Sequence, residues 1–214
     1  MFRGAITALV TPFKDGKVDE QALRDLIEFQ IAGGIDGLVP CGTTGESPTL
    51  THDEHDRVIE ITIDAVKKRV PVIAGTGSNS TAEALRLTQH AYKAGADGAL
   101  IACPYYNKPT QEGLYQHFEL IAKNVPIPVV PYNIPGRTGV NMSPELIFRL
   151  SKIKNIVGVK EASGSLKQMN DVLDLCGPEF DVLSGDDGFT LPLMAIGGRG
   201  VISVVSNIAP ADMA

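Results

Sequence analysis

The chain has 214 residues, 43% of them hydrophobic and 21% charged, a balance typical of a globular protein rather than a disordered one. Its 19 Lys and Arg are interspersed with 25 Asp and Glu, so the sequence offers no basic stripe to nucleic acid or to an anionic membrane surface. No apolar run approaches the ~18 residues of a membrane span. The three cysteines lack CxxC spacing, which argues against disulfides and zinc and predicts a cytoplasmic protein.

Short apolar runs recur along the chain, and each has the length of a parallel strand that is covered on both faces. In chain order the eight runs are Ala5–Val10, Gly37–Pro40, Val70–Ala74, Ala99–Ala102, Val129–Tyr132, Ile156–Lys160, Val182–Ser184 and Val201–Val205. Segments with apolar residues at i, i+3 and i+4 separate them and predict amphipathic helices. Five or six strands would suit a doubly wound sheet, but eight repeated βα units predict a (β/α)8 TIM barrel in a single domain, residues 1–214.

The starts of several predicted helices carry capping signals. Capping boxes are predicted at Thr51 with Glu54, at Ser80 with Glu83 and at Ser165 with Gln168, and Ser143 precedes a proline at a first helical position. Glycine turns such as Gly34–Gly37 and Gly95–Gly98 end a helix and open a strand. No stretch of the sequence has the composition of a linker.

In a TIM barrel the active site lies at the carboxyl ends of the strands, so the residues directly after each run are the candidates. After the second run, the turn Gly42–Ser47 is suited to hold a carboxylate with its backbone amides and the hydroxyls of Thr43 and Thr44; an ordinary βα turn is the alternative. After the fourth run, Tyr105 and Tyr106 point in different directions. One of them is expected to reach the site or a partner subunit, unless both only pack.

The fifth and sixth runs end in further candidates. Tyr132 is suited to relay protons, and Arg137 follows on a Pro-Gly loop, where a grip on a substrate carboxylate and a surface salt bridge are the alternatives. Lys160 ends the sixth run inside an apolar strand, where burial would lower its pKa enough for nucleophilic catalysis. The alternative is a lysine that reaches solvent or pairs with Glu161.

Two other patterns in the sequence indicate structure rather than a functional site. Gly75–Asn79 follows a strand but lacks the third glycine of a dinucleotide fingerprint, so it predicts a βα loop. His52 and His55 lie one turn apart on a helix, yet no HExxH spacing or cysteine pair accompanies them. We predict that both histidines lie on a solvated helix face rather than in a metal site.

Several motifs taken together resemble the dihydrodipicolinate synthase family, within the superfamily of pyruvate-dependent class I lyases and aldolases. They are Gly42–Ser47, Pro104–Pro109, Tyr132–Gly139, Gly158–Glu161 and Ser184–Asp187, and the resemblance covers the whole chain in order. The pair Thr43-Thr44 and the triplet Gly136-Arg137-Thr138 resemble the sequences of the synthases. Sialic acid lyases usually carry Ser-Thr at the first of these positions and lack the arginine at the second.

The resemblance implies a Schiff-base mechanism that needs no metal and no organic cofactor. Lys160 would condense with pyruvate, and the resulting enamine would attack L-aspartate 4-semialdehyde, the committed step of lysine and diaminopimelate biosynthesis. The same resemblance implies a proton relay of Thr43, Tyr132 and Tyr106. Tyr106 would come from a neighbouring subunit of a homotetramer built as a dimer of tight dimers.

Binding roles also follow from the resemblance. It assigns the pyruvate carboxylate to Thr44, the semialdehyde carboxylate to Arg137, and the backbone lining of the pocket to Gly185 and Ile202. In feedback-inhibited members of the family, L-lysine binds at the tight-dimer interface, and polar residues at the matching positions here predict lysine inhibition. These positions are Ser47, Pro48, Leu50, His52, His55, Asn79, Glu83 and Tyr105.

Two other functions stay open on the sequence alone. One is a related lyase that acts on a sialic acid or a sugar acid, against which the second carboxylate grip of Arg137 argues. The other is a catalytically silent barrel fragment kept for assembly. A full barrel takes about 250 residues, and this chain ends just after the eighth run. We therefore expect a fragment truncated after the eighth strand, without the last barrel helix or the family's C-terminal helical region, and with apolar outer faces exposed on the first and eighth strands.

Overall fold

Eight parallel strands form a barrel in the computed structural model, which describes residues 1–214. Numbered as the first to eighth barrel strands, they are Gly4–Ala8, Gly37–Val39, Ile73–Gly75, Gly98–Ala102, Val129–Asn133, Gly158–Glu161, Asp181–Ser184 and Gly200–Ser203. The first strand pairs with the second and the eighth, and a bridge between Leu38 and Val72 joins the second strand to the third, so the ring is closed. Each predicted run overlaps one of these strands, and the TIM barrel is confirmed.

Helices follow the strands and cover the outside of the barrel. The longer helices are Glu20–Ala32, His52–Val66, Thr81–Ala94, Gln111–Asn124, Pro144–Leu150, Leu166–Cys176 and Thr190–Ala195, and short helical turns lie at Ser47–Thr49, Pro135–Thr138, Asp187–Phe189, Val205–Asn207 and Pro210–Met213. None of them combines the length and the apolar character that crossing a membrane requires.

A small antiparallel hairpin, Phe13–Lys14 with Lys17–Val18, follows the first strand and was not predicted. Its two turn residues, Asp15 and Gly16, have positive φ angles of 53° and 74°. Asp-Gly is a preferred pair for such a two-residue turn, so this dipeptide was the signal in the sequence that could have revealed the hairpin.

The predicted helix caps are present, although two of the three boxes are incomplete. At Thr51 and Glu54 both reciprocal hydrogen bonds of the capping box form. Ser80 and Ser165 also accept a hydrogen bond from the backbone N–H three residues later. In these two helices, however, the side chain at that third position bonds elsewhere, so only half of the box exists.

The barrel interior is an apolar cluster that lies beneath the carboxyl ends of the strands. Its members are Phe2, Ile6, Ala8, Val39, Ile73, Leu100, Val130, Tyr132, Leu183 and Ile202. The sixth strand contributes none of them. At the level where its neighbours place Tyr132 and Leu183, the sixth strand carries Lys160 instead. The fold therefore sets an amine into an otherwise apolar interior.

The outer faces of the first and eighth strands are covered, contrary to the expectation from the sequence. Both strands are buried, and helix Glu20–Ala32 packs on the first. Buried Gln30 accepts a hydrogen bond from Thr7 Oγ1 at 2.7 Å and donates one to the carbonyl oxygen of Ser206 at 2.9 Å. The turn Pro210–Met213 also packs against this helix. The residues after the eighth strand thus supply the cover that was expected to be missing.

Candidate active site

A cavity of about 840 Å³ opens at the carboxyl ends of the barrel strands, a volume in the range of small-molecule sites. The structure brings most of the predicted site residues together there. Those that line the cavity are Thr43, Thr44, Ser47, Pro48, Tyr105, Tyr106, Tyr132, Arg137, Lys160 and Gly185. Ile202, by contrast, is fully buried in the barrel core and does not line the cavity.

Lys160 is the buried amine of this cavity. The residue is only 4% exposed, and its Nζ lies 4.2 Å from the centroid of the Tyr132 ring on the neighbouring strand. Burial lowers the pKa of Lys160 to about 7; the charge of Asp187 opposes this shift, and the charge of Arg137 adds to it. A far larger fraction of the amine is therefore neutral and nucleophilic at pH 7 than in an exposed lysine.

The neighbouring Glu161 is not the partner of Lys160. Successive side chains of a strand point to opposite faces, and Glu161 is fully buried on the outer face of the barrel. Its carboxylate accepts hydrogen bonds from the side chains of Asn133 at 3.0 Å and Gln168 at 3.2 Å. It also accepts one from the backbone N–H of Ser163 at 2.6 Å. The alternative interpretation, a lysine in solvent or in an ion pair with Glu161, is therefore wrong.

Gly185, at the end of the seventh strand, leaves room for the lysine side chain. A Cβ added at this position would lie 2.9 Å from Cε of Lys160 and 2.8 Å from Cβ of Ala162. Contacts this short are repulsive, so a larger residue would displace the aliphatic stem of Lys160 or the backbone beside it. The place of Gly185 in the pocket thus has a steric basis.

The turn after the second strand presents Thr43 and Thr44 to the cavity. The backbone of this turn packs directly on the backbone of Gly75, at the end of the third strand. A Cβ at Gly75 would lie only 2.1 Å from the carbonyl oxygen of Cys41, so only glycine allows this contact. Cys41 itself has a φ of 54°, an uncommon conformation for a residue other than glycine. Strained backbone of this kind is found disproportionately at binding and catalytic sites.

Two tyrosines of the cavity differ in environment. Burial raises the pKa of Tyr132 to about 12, so its hydroxyl keeps its proton at neutral pH. Thr43 lines the same cavity without a hydrogen bond to Tyr132 in this structure. Tyr106 lines the cavity but is 89% exposed, and its φ is 72°. Packing within the chain therefore does not explain Tyr106.

Arg137 lies on the helical turn Pro135–Thr138, directly after the fifth strand. Its side chain is exposed and lines the cavity, where it forms no salt bridge and no hydrogen bond within the chain. The surface salt bridge that was the alternative for this residue is absent. The guanidinium remains available for an anion, and its planar fork matches a carboxylate.

The positions that the resemblance assigns to L-lysine lie after the second, third and fourth strands. Ser47, Pro48 and Tyr105 line the cavity. His52 Nε2 lies 2.8 Å from Glu83 Oε1. This contact joins the start of helix His52–Val66 to the start of helix Thr81–Ala94. The exposed His52 agrees with the predicted solvated face.

His55 does not agree with that prediction. It is 3% exposed, and burial lowers its pKa to about 4, so the ring is neutral. The Sγ of Cys41 donates to its backbone carbonyl at 3.5 Å. Of the other assigned positions, Leu50 packs partly against the core and the carbonyl of Asn79 accepts a hydrogen bond from a side-chain amide. No cluster of three potential metal ligands exists in the structure.

Asp186 and Asp187 are residues of the site to which the sequence assigned no role. Asp186 lines the cavity, and its charge adds to burial in raising the pKa of Tyr132. Oδ2 of Asp187 accepts hydrogen bonds from the backbone N–H groups of Val204 and Val205, both at 3.2 Å, and so joins the ends of the seventh and eighth strands. The acidic pair directly after a strand was the available signal.

The whole chain, residues 1–214, matches the model of the Dihydrodipicolinate synthetase family. The chain belongs to this family. A 4-hydroxy-tetrahydrodipicolinate synthase of Syntrophus aciditrophicus (strain SB) is 74% identical over 214 residues, which are 100% of this chain and 74% of that protein. The enzyme of the same name from Syntrophobacter fumaroxidans is 69% identical with the same coverage.

Solved structures of dihydrodipicolinate synthases share the fold. The Aquifex aeolicus structure has a TM-score of 0.98 and 52% sequence identity, and the match covers 99% of this chain and 73% of that one. The chloride-inhibited Acinetobacter baumannii enzyme, solved in complex with pyruvate, has a TM-score of 0.98 and 49% identity over 100% of this chain and 74% of that one. Membership of the family makes the chain an enzyme of the lyase class rather than a silent barrel.

Proposed function

We propose that this chain condenses pyruvate with L-aspartate 4-semialdehyde and so acts as a 4-hydroxy-tetrahydrodipicolinate synthase in lysine and diaminopimelate biosynthesis. The observation that carries the proposal is Lys160, a buried amine with a pKa of about 7 beside Tyr132 in the cavity. The name of the relatives supports the overall reaction, and the pyruvate complex of the Acinetobacter baumannii enzyme supports the first substrate.

The first half of the proposed reaction forms a Schiff base. The neutral amine of Lys160 attacks the keto carbon of pyruvate, a C–N bond forms, and the carbonyl oxygen takes up protons and leaves as water. Loss of a methyl proton converts the iminium into an enamine. Tyr132, protonated because burial raises its pKa to about 12, supplies protons, and Thr43 and Tyr106 connect it to solvent.

The second half joins the two substrates. The enamine carbon attacks the aldehyde carbon of the semialdehyde, a C–C bond forms, and the aldehyde oxygen takes a proton. The amino group of this substrate then attacks the iminium carbon, and the bond to Lys160 breaks as the ring closes. Thr44 holds the carboxylate of pyruvate and Arg137 that of the semialdehyde. Gly185 lines the pocket, and Ile202 supports it from the barrel core.

Reductive trapping tests the proposal directly. The protein is incubated with pyruvate and sodium borohydride, digested, and analysed by mass spectrometry. We expect one reduced pyruvate on the peptide that contains Lys160, while the exposed Lys154 in the same digest stays unmodified. An unmodified Lys160 would contradict the Schiff-base reaction. L-Aspartate 4-semialdehyde and an N-acetylated amino sugar are then compared as acceptors, and turnover of the sugar alone would favour the sialic acid lyase.

We also propose that the protein acts in the cytoplasm as a homotetramer, in which Tyr106 reaches the site of a neighbouring subunit. The 89% exposure of Tyr106 supports this arrangement, and the three unpaired cysteines fit a reducing compartment. Assembly varies among relatives, because a structure with a TM-score of 0.97 and 47% identity, covering 99% of this chain and 72% of that one, is described as the first monomeric dihydrodipicolinate synthase variant.

We further propose inhibition by L-lysine at the positions assigned above, apart from the buried His55. A dihydrodipicolinate synthase of Cyanidioschyzon merolae with lysine bound has a TM-score of 0.96 and 45% identity over 99% of this chain and 73% of that one. The carboxylate of Glu83, hydrogen-bonded to His52, is the anionic group of the proposed site. It lies at the rim of the active-site cavity that Ser47 and Tyr105 line.

Replacing Glu83 by alanine is expected to weaken inhibition by L-lysine at least about tenfold, because a carboxylate that pairs with the ligand's ammonium is lost. The measurement is the lysine concentration that halves the initial rate. Glu112→Ala, which removes an exposed carboxylate paired with Arg149 on another helix face, is the matched control and should leave that concentration unchanged. Insensitivity of the unmodified protein to millimolar lysine would refute the proposal.

A further inference from the structure

The position of Arg137 depends on the backbone that carries it. Its exposed side chain has no hydrogen bond or salt bridge within the chain, so no side-chain contact orients it toward the cavity. The residue lies on one helical turn, Pro135–Thr138, between the fifth strand and the start of the next helix. Whatever fixes the two ends of this loop therefore fixes where the guanidinium meets a ligand.

Asn133 closes the base of this loop. It is the last residue of the fifth strand and is fully buried. Its Nδ2 donates to Oδ1 of Asn141 at 2.8 Å, and its Oδ1 accepts from the backbone N–H of Met142 at 2.9 Å. The residue that precedes the loop is thus bonded to two residues that follow it, and the loop ends are clasped together by one side chain.

Glu161 ties this clasp to the strand that carries the lysine. Nδ2 of Asn133 donates to Oε2 of Glu161 at 3.0 Å. In the parallel register Tyr132 lies opposite Lys160 and Asn133 lies opposite Glu161. Side chains alternate between the faces, so the pair that lines the cavity has the Asn133–Glu161 pair directly behind it on the outer face.

We propose that Asn133, anchored by Glu161, is a positioning residue that sets the placement of Arg137 relative to Lys160. Its main effect is on the second substrate, because the loop that it clasps carries the group that binds the semialdehyde carboxylate. The inference rests on the proposed function for the role of Arg137. It adds a residue that touches neither substrate and yet controls the affinity for one of them.

A double-mutant cycle between Asn133 and Arg137 tests the inference. Asn133→Ala is expected to raise the KM for L-aspartate 4-semialdehyde about tenfold, while the rate of borohydride trapping by pyruvate stays within about twofold. In the Arg137→Ala background the same change should have no further effect on that KM, because a misplaced loop no longer matters once the guanidinium is gone. If Asn133→Ala does not fold, Asn141→Ala replaces it in the double-mutant cycle. Asn141 is exposed, and its replacement removes one bond of the clasp, the hydrogen bond from Asn133 Nδ2 to Asn141 Oδ1.

Asn155→Ala is the matched control. Asn155 donates hydrogen bonds to the carbonyl oxygens of Ala122, Val125 and Ile127. These bonds lie at the amino ends of the fifth and sixth strands, whereas the cavity lies at the carboxyl ends. This variant should lower the Tm without changing either KM. If Asn133→Ala raises the semialdehyde KM by the same factor with and without Arg137, or leaves it unchanged, the positioning role is overturned. If Arg137→Ala itself leaves that KM unchanged, the proposed role of Arg137 fails, and the inference fails with it.

Discussion

Replacing Lys160 by methionine is expected to abolish turnover and pyruvate trapping, with a loss in kcat/KM of at least about 10³-fold. Methionine retains a flexible apolar stem of similar length but has no amine, so no Schiff base can form. The measurement is the steady-state rate with both substrates, together with the mass of the protein after borohydride treatment with pyruvate.

The same substitution is expected to stabilise the fold. Burial holds the pKa of Lys160 at about 7, against an ordinary value of 10.5. Between these values the unfolded chain binds more protons than the folded one, so the unmodified protein gains stability as the pH rises through this window. Below pH 7 the buried charge of Lys160 lowers the free energy of unfolding by on the order of 5 kcal/mol. Methionine carries no such cost, so the variant should have the higher Tm at neutral pH, and the difference should shrink toward pH 10.5.

Lys154→Met is the control for both effects, because Lys154 is exposed and lies before the same strand. It should change neither the rate nor the pH dependence of Tm. Equal Tm values for the Lys160 variant and the unmodified protein across this pH range would show that burial of the Lys160 amine does not destabilise the fold. Residual pyruvate trapping in the variant would show that another amine is the nucleophile.

Replacing Tyr132 by phenylalanine is expected to lower kcat about 10²- to 10⁴-fold, the usual contribution of one proton-transfer group. The ring that packs against Lys160 Nζ is retained, and only the hydroxyl is lost. Because burial raises the pKa of this hydroxyl to about 12, the unmodified enzyme should keep its activity up to alkaline pH without losing the proton of Tyr132. Initial rates and trapping rates are measured from neutral to alkaline pH.

Tyr115→Phe provides the comparison. The hydroxyl of Tyr115 donates to Glu119 on an outer helix, so its loss should leave kcat unchanged. If Tyr132→Phe retains full kcat, Tyr132 is not part of the proton relay. If trapping by pyruvate is as fast as before while kcat falls, the hydroxyl acts after Schiff-base formation rather than during it.

The barrel strands were predictable because each is a short apolar run, a pattern that arises when both faces of a parallel strand are covered. Lys160 stood out for the same reason, as a charge at the end of such a run. The hairpin Phe13–Val18 was missed because its strands are only two residues long and mostly exposed, which leaves no apolar pattern. Its Asp-Gly turn was the remaining local signal.

The sequence did not predict which side chains are buried against other elements or which residues pair between strands. His55 lies one turn from His52 on the same helix, but the helix turns one histidine to solvent and the other to the core. The pairing of Asn133 with Glu161 depends on the register of two strands whose residues are 28 positions apart. Periodicity describes one element at a time, so it gives neither the neighbour nor the register.

That register has a practical consequence for folding studies. Because inner and outer faces alternate, a slip of one residue between the fifth and sixth strands would turn the carboxylate of Glu161 into the barrel and Lys160 out of it. Only molecules with native pairing would then be labelled by pyruvate and borohydride. In a protein without tryptophan, the labelled fraction offers a covalent readout of how many chains have reached the native state during refolding.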